Sequence, residues 1–210
     1  MKILSRPHIR LSFEAGSLPG FTLLLQAGFV VRACDCGSIK AFLVDTMGLA
    51  PEFIEAVIQS VFLDGRPVDD LDSASIREGG TLALSAAMPG LVGATMRRGG
   101  YYAPMRSGIS HVGDESRQGL FRGDVTVKLF NLVASQLGPA LLERGILVRA
   151  ENLEEFLASR PPEFWSACRS VIVDGREMDA RELRESSWGD QLVLFSVESI
   201  PIEETEVSRP

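Results

Sequence analysis

The chain has 210 residues, of which 45% are hydrophobic and 23% charged, a composition that is typical of a globular protein and argues against a disordered or fibrous one. Its formal net charge of −7 opposes binding to nucleic-acid backbones and to anionic lipid, because these carry charge of the same sign. We therefore expect no nucleic-acid partner and no membrane partner.

The sequence predicts a cytoplasmic protein with free thiols. The first residues lack the apolar stretch of about 7–15 residues that a secretory signal needs. The longest apolar run, residues 21–31, is interrupted by Gln26 and Gly28 and is shorter than the roughly 20 residues that span a bilayer. An odd number of cysteines without disulfide-like spacing fits a reducing compartment, and these are Cys34, Cys36 and Cys168.

The chain contains an internal repeat. Residues 61–66, Val-Phe-Leu-Asp-Gly-Arg, return as residues 171–176, Val-Ile-Val-Asp-Gly-Arg. Residues 82–84, Leu-Ala-Leu, return as residues 192–194, Leu-Val-Leu. Both pairs are separated by 110 residues. A shared offset without a gap indicates one supersecondary unit built twice.

Each copy is predicted to open with a strand, because apolar and polar residues alternate there with a period of two. Helical turns follow, and a second strand then ends in Val-Arg-Ala in both copies. In chain order, these predicted elements are strands at 9–13 and 125–129, helical turns at 18–27 and 132–144, and strands at 29–33 and 146–150.

A helix and a hairpin follow in each copy. Asn152, with acidic residues directly after it, predicts the N-cap of a helix in the second copy, and residues 38–43 are the counterpart in the first. Asp-Gly supplies the positive φ that a primed hairpin turn requires. The remaining predicted elements are turns at 64–65 and 174–175, short strands at 67–68 and 177–178, and final strands at 82–84 and 192–194.

This order of elements predicts an α+β unit in which one main helix lies across a mixed sheet. The second copy resembles the ubiquitin-like β-grasp sulfur carriers, namely the small subunit of molybdopterin synthase and its relative in thiamine biosynthesis. The resemblance spans residues 125–198, and the first copy matches more loosely over 9–100. It is carried by residues 125–130, the Gln136-Leu137-Gly138 turn, the hairpin at 174–176 and residues 189–194.

The repeat and the resemblance together imply two tandem β-grasp domains. We expect the first at residues 1–87 and the second at 124–200, joined by a connecting segment at 88–123 and followed by an acidic tail at 201–210. Each copy is small for a domain, so we expect the two to pack together.

The resemblance also raises a sulfur-carrier function. Carriers of this family end in Gly-Gly, whose carboxylate is adenylated and converted to a thiocarboxylate. The C-terminus here lacks that ending, but Arg97-Arg98-Gly99-Gly100 inside the chain is similar to such a tail. Cleavage after Gly100 would expose a carrier terminus; the alternative, which we favour, is that the glycines belong to a linker.

The connecting segment is the best candidate for a binding site. It holds eight glycines and five arginines against two acids, Asp114 and Glu115, in an otherwise acidic protein. Backbone N–H groups and guanidinium groups can hold a small anionic ligand or the acidic face of a protein partner. The candidate binding residues are Arg97, Arg98, Gly99, Gly100, Tyr101, Tyr102 and Arg106. The alternative is a linker whose apolar residues pack between the domains, namely Leu91, Val92, Met96, Met105 and Ile109.

The sequence offers no catalytic constellation. His8 and His111 lack a companion acid or nucleophile, Cys34 and Cys36 lack a second ligand pair for zinc, and the acidic run 69–72 is expected to be solvated. We therefore predict no catalytic residue, metal or cofactor. The favoured function is a noncatalytic binding or adaptor protein, the alternative is a processed or degenerate sulfur carrier, and an enzyme with its site in 88–123 and a homo-oligomer are left open.

Overall fold

The computed structural model describes residues 6–111 and 119–201 and confirms the predicted α+β class. Residues 112–118 of the connecting segment, with Asp114 and Glu115, and residues 202–210 of the predicted acidic tail lie outside the described residues. The strands are β1 His8–Glu14, β2 Phe29–Cys36, β3 Ser60–Leu63, β4 Arg66–Pro67, β5 Thr81–Ser85, β6 Phe121–Phe130, β7 Ile146–Arg149, β8 Cys168–Val173, β9 Arg176–Glu177 and β10 Leu192–Ile200.

The helices are mostly short. Single 3₁₀ turns lie at Leu18–Phe21 and Ala103–Arg106, and a π-helical turn lies at Phe42–Thr46. The α-helices are α1 Thr22–Ala27, α2 Ile39–Ala41, α3 Pro51–Ala56, α4 Gly90–Met96, α5 Asn131–Arg144, α6 Ala150–Ala158, α7 Pro162–Ser166 and α8 Ala180–Glu185.

The chain divides into two compact units that differ from the predicted domains. The middle unit is Leu24–Gly138, and the terminal unit combines Met1–Leu23 with Pro139–Pro210. The chain passes from one unit to the other inside α1 and inside α5. The predicted boundaries at residues 87 and 124 therefore fall within the middle unit.

The middle unit contains a mixed sheet in the order β4-β3-β5-β6-β2. The β5 and β6 strands are parallel, with Ala83 opposite Lys128, and every other neighbouring pair in this unit is antiparallel. The same face of the central strands is buried, because side chains alternate along each strand. The buried side chains of these strands are Val61, Leu63, Leu82, Leu84, Val125, Val127 and Leu129.

The terminal unit repeats this pattern of strand directions in the order β7-β10-β1-β8-β9. Here β10 and β1 form the parallel pair. The correspondence extends to single bonds: the N–H of Thr81 donates to Asp64 Oδ1 at 2.8 Å, and the N–H of His8 donates to Asp174 Oδ1 at 2.8 Å. Strand β1 thus has the place in the terminal unit that β5 has in the middle unit.

The first strand of each copy pairs with strands of the other copy. Strand β1 pairs with β8 and β10, while β6 pairs with β2 and β5. The structure therefore does not show two tandem β-grasp domains formed by consecutive residues. Strands β1, β5, β6 and β10 all alternate apolar and polar residues, so the local sequence specifies each of them as a strand. Which strands each one pairs with depends on tertiary contacts.

The core of the terminal unit is aromatic. Phe21 is fully buried, and its ring centroid lies 5.1 Å from that of Phe13 and 5.1 Å from that of Phe164. Phe156 and Phe195 complete the cluster at 5.7 and 6.0 Å from Phe21. The rings meet at tilted or edge-on angles, the arrangement that their quadrupoles favour.

The predicted N-cap at Asn152 is wrong. Helix α6 begins at Ala150, and Arg149 is its N-cap residue without a side-chain cap bond. The helix can start early because Arg149 leaves β7 in an extended conformation that leads directly into the first turn. The helical region of the second copy is also split, since α6 ends at Ala158 and a new helix, α7, begins at Pro162 after Pro161.

Candidate functional site

Residues 88–111 of the connecting segment are folded onto the rest of the middle unit, and we call them the docked segment. Helix α4 and the 3₁₀ turn Ala103–Arg106 form its framework. The N–H of Arg98 donates to the Gln59 carbonyl at 2.8 Å, and the N–H of His111 donates to the Pro67 carbonyl at 2.8 Å. The docked segment is thus fixed to Gln59, the residue before β3, and to Pro67 of β4.

Arg106 holds the docked segment together from inside. Its side chain is 3% exposed and forms a bidentate pair with Asp69, at 2.8 and 3.0 Å. The same guanidinium donates to the Thr95 carbonyl at 2.6 Å, to Ser110 Oγ at 2.7 Å and to the Arg97 carbonyl at 3.4 Å. These bonds tie α4, the turn after it and the 3₁₀ turn to a single carboxylate.

Three more of the candidate residues are bonded within the protein. The Arg98 guanidinium lies 3.2 Å from Glu55, and the Gly99 N–H donates to Asp69 Oδ1 at 3.0 Å. The Gly100 N–H donates to the Arg97 carbonyl at 3.2 Å and closes a turn. Among the seven candidates, Arg98, Gly99 and Arg106 therefore donate hydrogen bonds to the protein's own carboxylates, which are those of Glu55 and Asp69.

The docked segment exposes several large apolar side chains. Of the ten exposed large hydrophobic side chains in the described ranges, six lie between residues 91 and 109, which marks this stretch as unlike the rest of the surface. We call them the exposed apolar set: Leu91, Val92, Tyr101, Tyr102, Met105 and Ile109. The alternative in which apolar residues of this segment pack between domains is wrong for four of its five members, since Leu91, Val92, Met105 and Ile109 are 54–72% exposed.

The tyrosines and Arg97 are the candidate residues that face outward. Tyr101 is 91% exposed, and its ring meets that of Tyr102 edge-on at 5.1 Å. The exposed Arg97 has no ion pair within residues 6–111 and 119–201. The structure thus separates the predicted site into inward residues that hold the segment and outward residues that are accessible to a partner.

The thiols differ in environment. Cys34 is exposed, whereas Cys36 is buried, and burial raises the pKa of the Cys36 thiol. Burial also raises the pKa of Cys168 to about 11. In the part of the chain that the structure describes, no group of three or more His, Cys, Asp or Glu side chains is placed to hold a metal ion.

Sequence reasoning missed the role of Asp69. The sequence predicts a solvated acidic run at 69–72, yet Asp69 accepts hydrogen bonds from the Arg106 guanidinium and from the N–H of Gly99. Its neighbour Asp70 fits the expectation better, because hydrogen bonds from Ser73 and Asp72 lower the pKa of its carboxyl in an exposed turn. No local pattern distinguishes the two aspartates, since the Arg106 partner lies 37 residues away.

Comparison of the chain with protein-family models, with curated proteins and with solved structures found no match. Within the described ranges, none of the helices combines the length and the apolar character that crossing a membrane requires.

Proposed function

We propose that the chain is a noncatalytic binding or adaptor protein whose docked segment contacts a protein partner through the exposed apolar set. The observation that carries the proposal is the concentration of six exposed apolar side chains on one segment that a buried arginine holds in place. Tyrosine, methionine and arginine are enriched at protein interfaces, and burying one large apolar side chain contributes roughly 1.5–3 kcal/mol.

Preorganisation supports this proposal. A flexible segment loses conformational entropy when it binds, and a segment already fixed by Arg106 and Asp69 loses less. A buried arginine that anchors a connecting segment to a carboxylate outside it has little reason to exist if the segment only joins two parts of the chain. It is explained if the surface above it must keep one shape.

A protein partner is better supported than a small anion at this segment. Arg106 and Arg98 are already neutralised by Asp69 and Glu55, which leaves Arg97 as the outward arginine of the candidate set. The partner surface that fits this arrangement is apolar, with an acidic group placed to meet Arg97. Aromatic and methionine side chains then provide most of the contact area.

The β-grasp kinship and the carrier function have weaker support. The shared strand directions of the two units, antiparallel, parallel, antiparallel and antiparallel, support the kinship. Gly99 and Gly100 lie in a bonded turn, and the chain after them supplies the central strand β6, so a carrier would have to be cut within a folded unit. One full-length species in the intact mass of natively expressed protein would remove the carrier.

The binding proposal is tested with the double variant Tyr101→Ser, Met105→Ser. Leu132→Ser is the matched control, because Leu132 is 50% exposed and lies in the same unit outside the docked segment. We expect a partner that copurifies with the wild type and with the control but is lost with the double variant. After reconstitution with that partner, the double variant should raise Kd at least tenfold.

Sedimentation of the purified chain shows whether the partner is a second copy of this chain or a different protein. A dimer that dissociates in the double variant but not in the control identifies a second copy as the partner. If all three proteins remain monomeric and capture the same set of proteins with equal affinity, the docked segment is not the binding surface and the proposal is refuted.

A further inference from the structure

A groove of about 780 Å³ lies on the open face of the middle unit's sheet, a volume in the range of small-molecule sites. We call it the sheet groove. Of the docked segment, only Met88 lines it, so it is separate from the exposed apolar set. The residues that surround it are Gln26, Phe62, Asp64, Gly65, Thr81, Ala83, Ser85, Met88, Lys128, Phe130 and Asn131.

The groove exists because a small residue lies between two long ones. Across the sheet, Phe62 is opposite Ala83, and Ala83 is opposite Lys128. Since side chains alternate, these three residues lie on the face opposite the buried Leu82 and Leu84. The methyl group of Ala83 leaves a hollow whose apolar surface is completed by Phe62, Phe130 and Met88.

The terminal unit shows that the fold does not require this hollow. In its equivalent row, Ile172 is opposite Arg10, and Arg10 is opposite Ser196. Phe130 pairs with Ser85 in the middle unit, and the equivalent residue beside Ser12 is Glu198. The same sheet position thus carries an exposed arginine and a glutamate in one unit but an alanine and a phenylalanine in the other.

The groove has one unmatched charge. The Lys128 ammonium makes no hydrogen bond or ion pair within the described parts of the chain, whereas Asp64 is paired with Arg77 at 3.0 Å and accepts the Thr81 N–H. The Asn131 amide is also hydrogen-bonded within the protein, because its Nδ2 donates to Ser85 Oγ and its Oδ1 accepts the Ala86 N–H. The charged group left for a ligand is therefore the ammonium of the half-buried Lys128, and the Gln26 amide also lines the groove.

We propose that the sheet groove binds a small amphipathic carboxylate, whose apolar body lies on Phe62, Ala83 and Phe130 and whose carboxylate pairs with Lys128. The apolar floor and the single cation together fit such a molecule. A neutral lipid tail would leave the Lys128 ammonium without a partner, and a polyanion would find only one cation. The proposal does not depend on the protein-binding function of the docked segment.

The test uses the full chain with decanoate as the anionic probe and decanol as the neutral one, both below micelle formation. Titration calorimetry should show saturable 1:1 binding of decanoate, with decanol at least tenfold weaker. Lys128→Gln should weaken decanoate about tenfold and leave decanol unchanged. Lys40→Gln is the matched control, since Lys40 pairs with Asp72 away from the groove, and it should bind as the wild type does.

Ala83→Arg provides an independent variant, because it transfers to the middle unit the residue that the terminal unit carries as Arg10. It should fold and should lose both probes, since the arginine fills the hollow. Decanoate binding that is absent in the wild type, or equal in wild type, Lys128→Gln and Ala83→Arg, overturns the proposal. Co-flotation with anionic vesicles without decanoate binding overturns it as well, because it replaces a free ligand with a membrane surface.

Discussion

Replacing Arg106 with alanine should release the docked segment while leaving the strands of both units intact. The change removes five hydrogen bonds of 2.6–3.4 Å from a side chain that is 3% exposed. Breaking a fully buried pair costs about 3–5 kcal/mol. Asp69 is 40% exposed and keeps the N–H of Gly99, so its remaining charge is partly solvated and we expect a loss of about 3 kcal/mol.

Hydrogen exchange across the docked segment measures this effect directly. Amides in residues 91–106 should lose protection in Arg106→Ala, while those of β3, β5 and β6 keep theirs, because only the segment depends on the arginine. Arg106→Lys should give an intermediate loss, since an ammonium has three donors and cannot form the bidentate pair. Arg97 is exposed in the same segment, so Arg97→Ala should leave the amide protection of residues 91–106 unchanged. Wild-type protection of residues 91–106 in Arg106→Ala would refute the reasoning.

Two further predictions concern the thiols. At pH 8, a disulfide reagent should modify Cys34 rapidly and Cys36 and Cys168 slowly, because Cys34 is exposed and burial raises the pKa of the other two; equal rates would contradict this. The folded pKa of Cys168, about 11, exceeds the reference value of 9.0, so its contribution to stability is fully present below pH 9 and is lost as the pH rises towards 11. Denaturant unfolding between pH 8 and 11 should therefore show a decline that Cys168→Ala reduces, and an identical slope in both proteins would exclude Cys168 as the cause.

The sequence predicted strands well, because a strand is a local pattern. The alternation at 9–13 and 125–129 lies inside β1 and β6, and both predicted Asp-Gly turns have positive φ at Asp64, Gly65, Asp174 and Gly175. Which strands pair was not predictable in the same way. The repeat aligns residues 192–194 with 82–84, yet β10 lies where β6 lies in the middle unit, because parallel central strands with the same alternation can exchange places.

The sequence indicated the position of the docked segment but not its structure. Glycines, arginines and tyrosines marked residues 97–106 as unusual, and the docked segment contains them. Which arginines point inward depends on Asp69 and Glu55, and these are 37 and 43 residues away along the chain. The sheet groove had no sequence signal at all, since an alanine in a strand becomes a hollow only through its neighbours Phe62 and Lys128.

The first strand of each copy, β1 or β6, pairs with strands of the other copy. This pairing forms the middle unit and its sheet groove, and cross-linking tests it most directly. In a background with the native cysteines replaced by serine, the pairs Arg10→Cys with Ile172→Cys and Arg32→Cys with Asp124→Cys lie directly opposite on antiparallel strands. We predict that a short bismaleimide links both pairs within one monomer, which peptide mass spectrometry detects. A folded, monomeric protein in which neither pair is linked would contradict the strand arrangement.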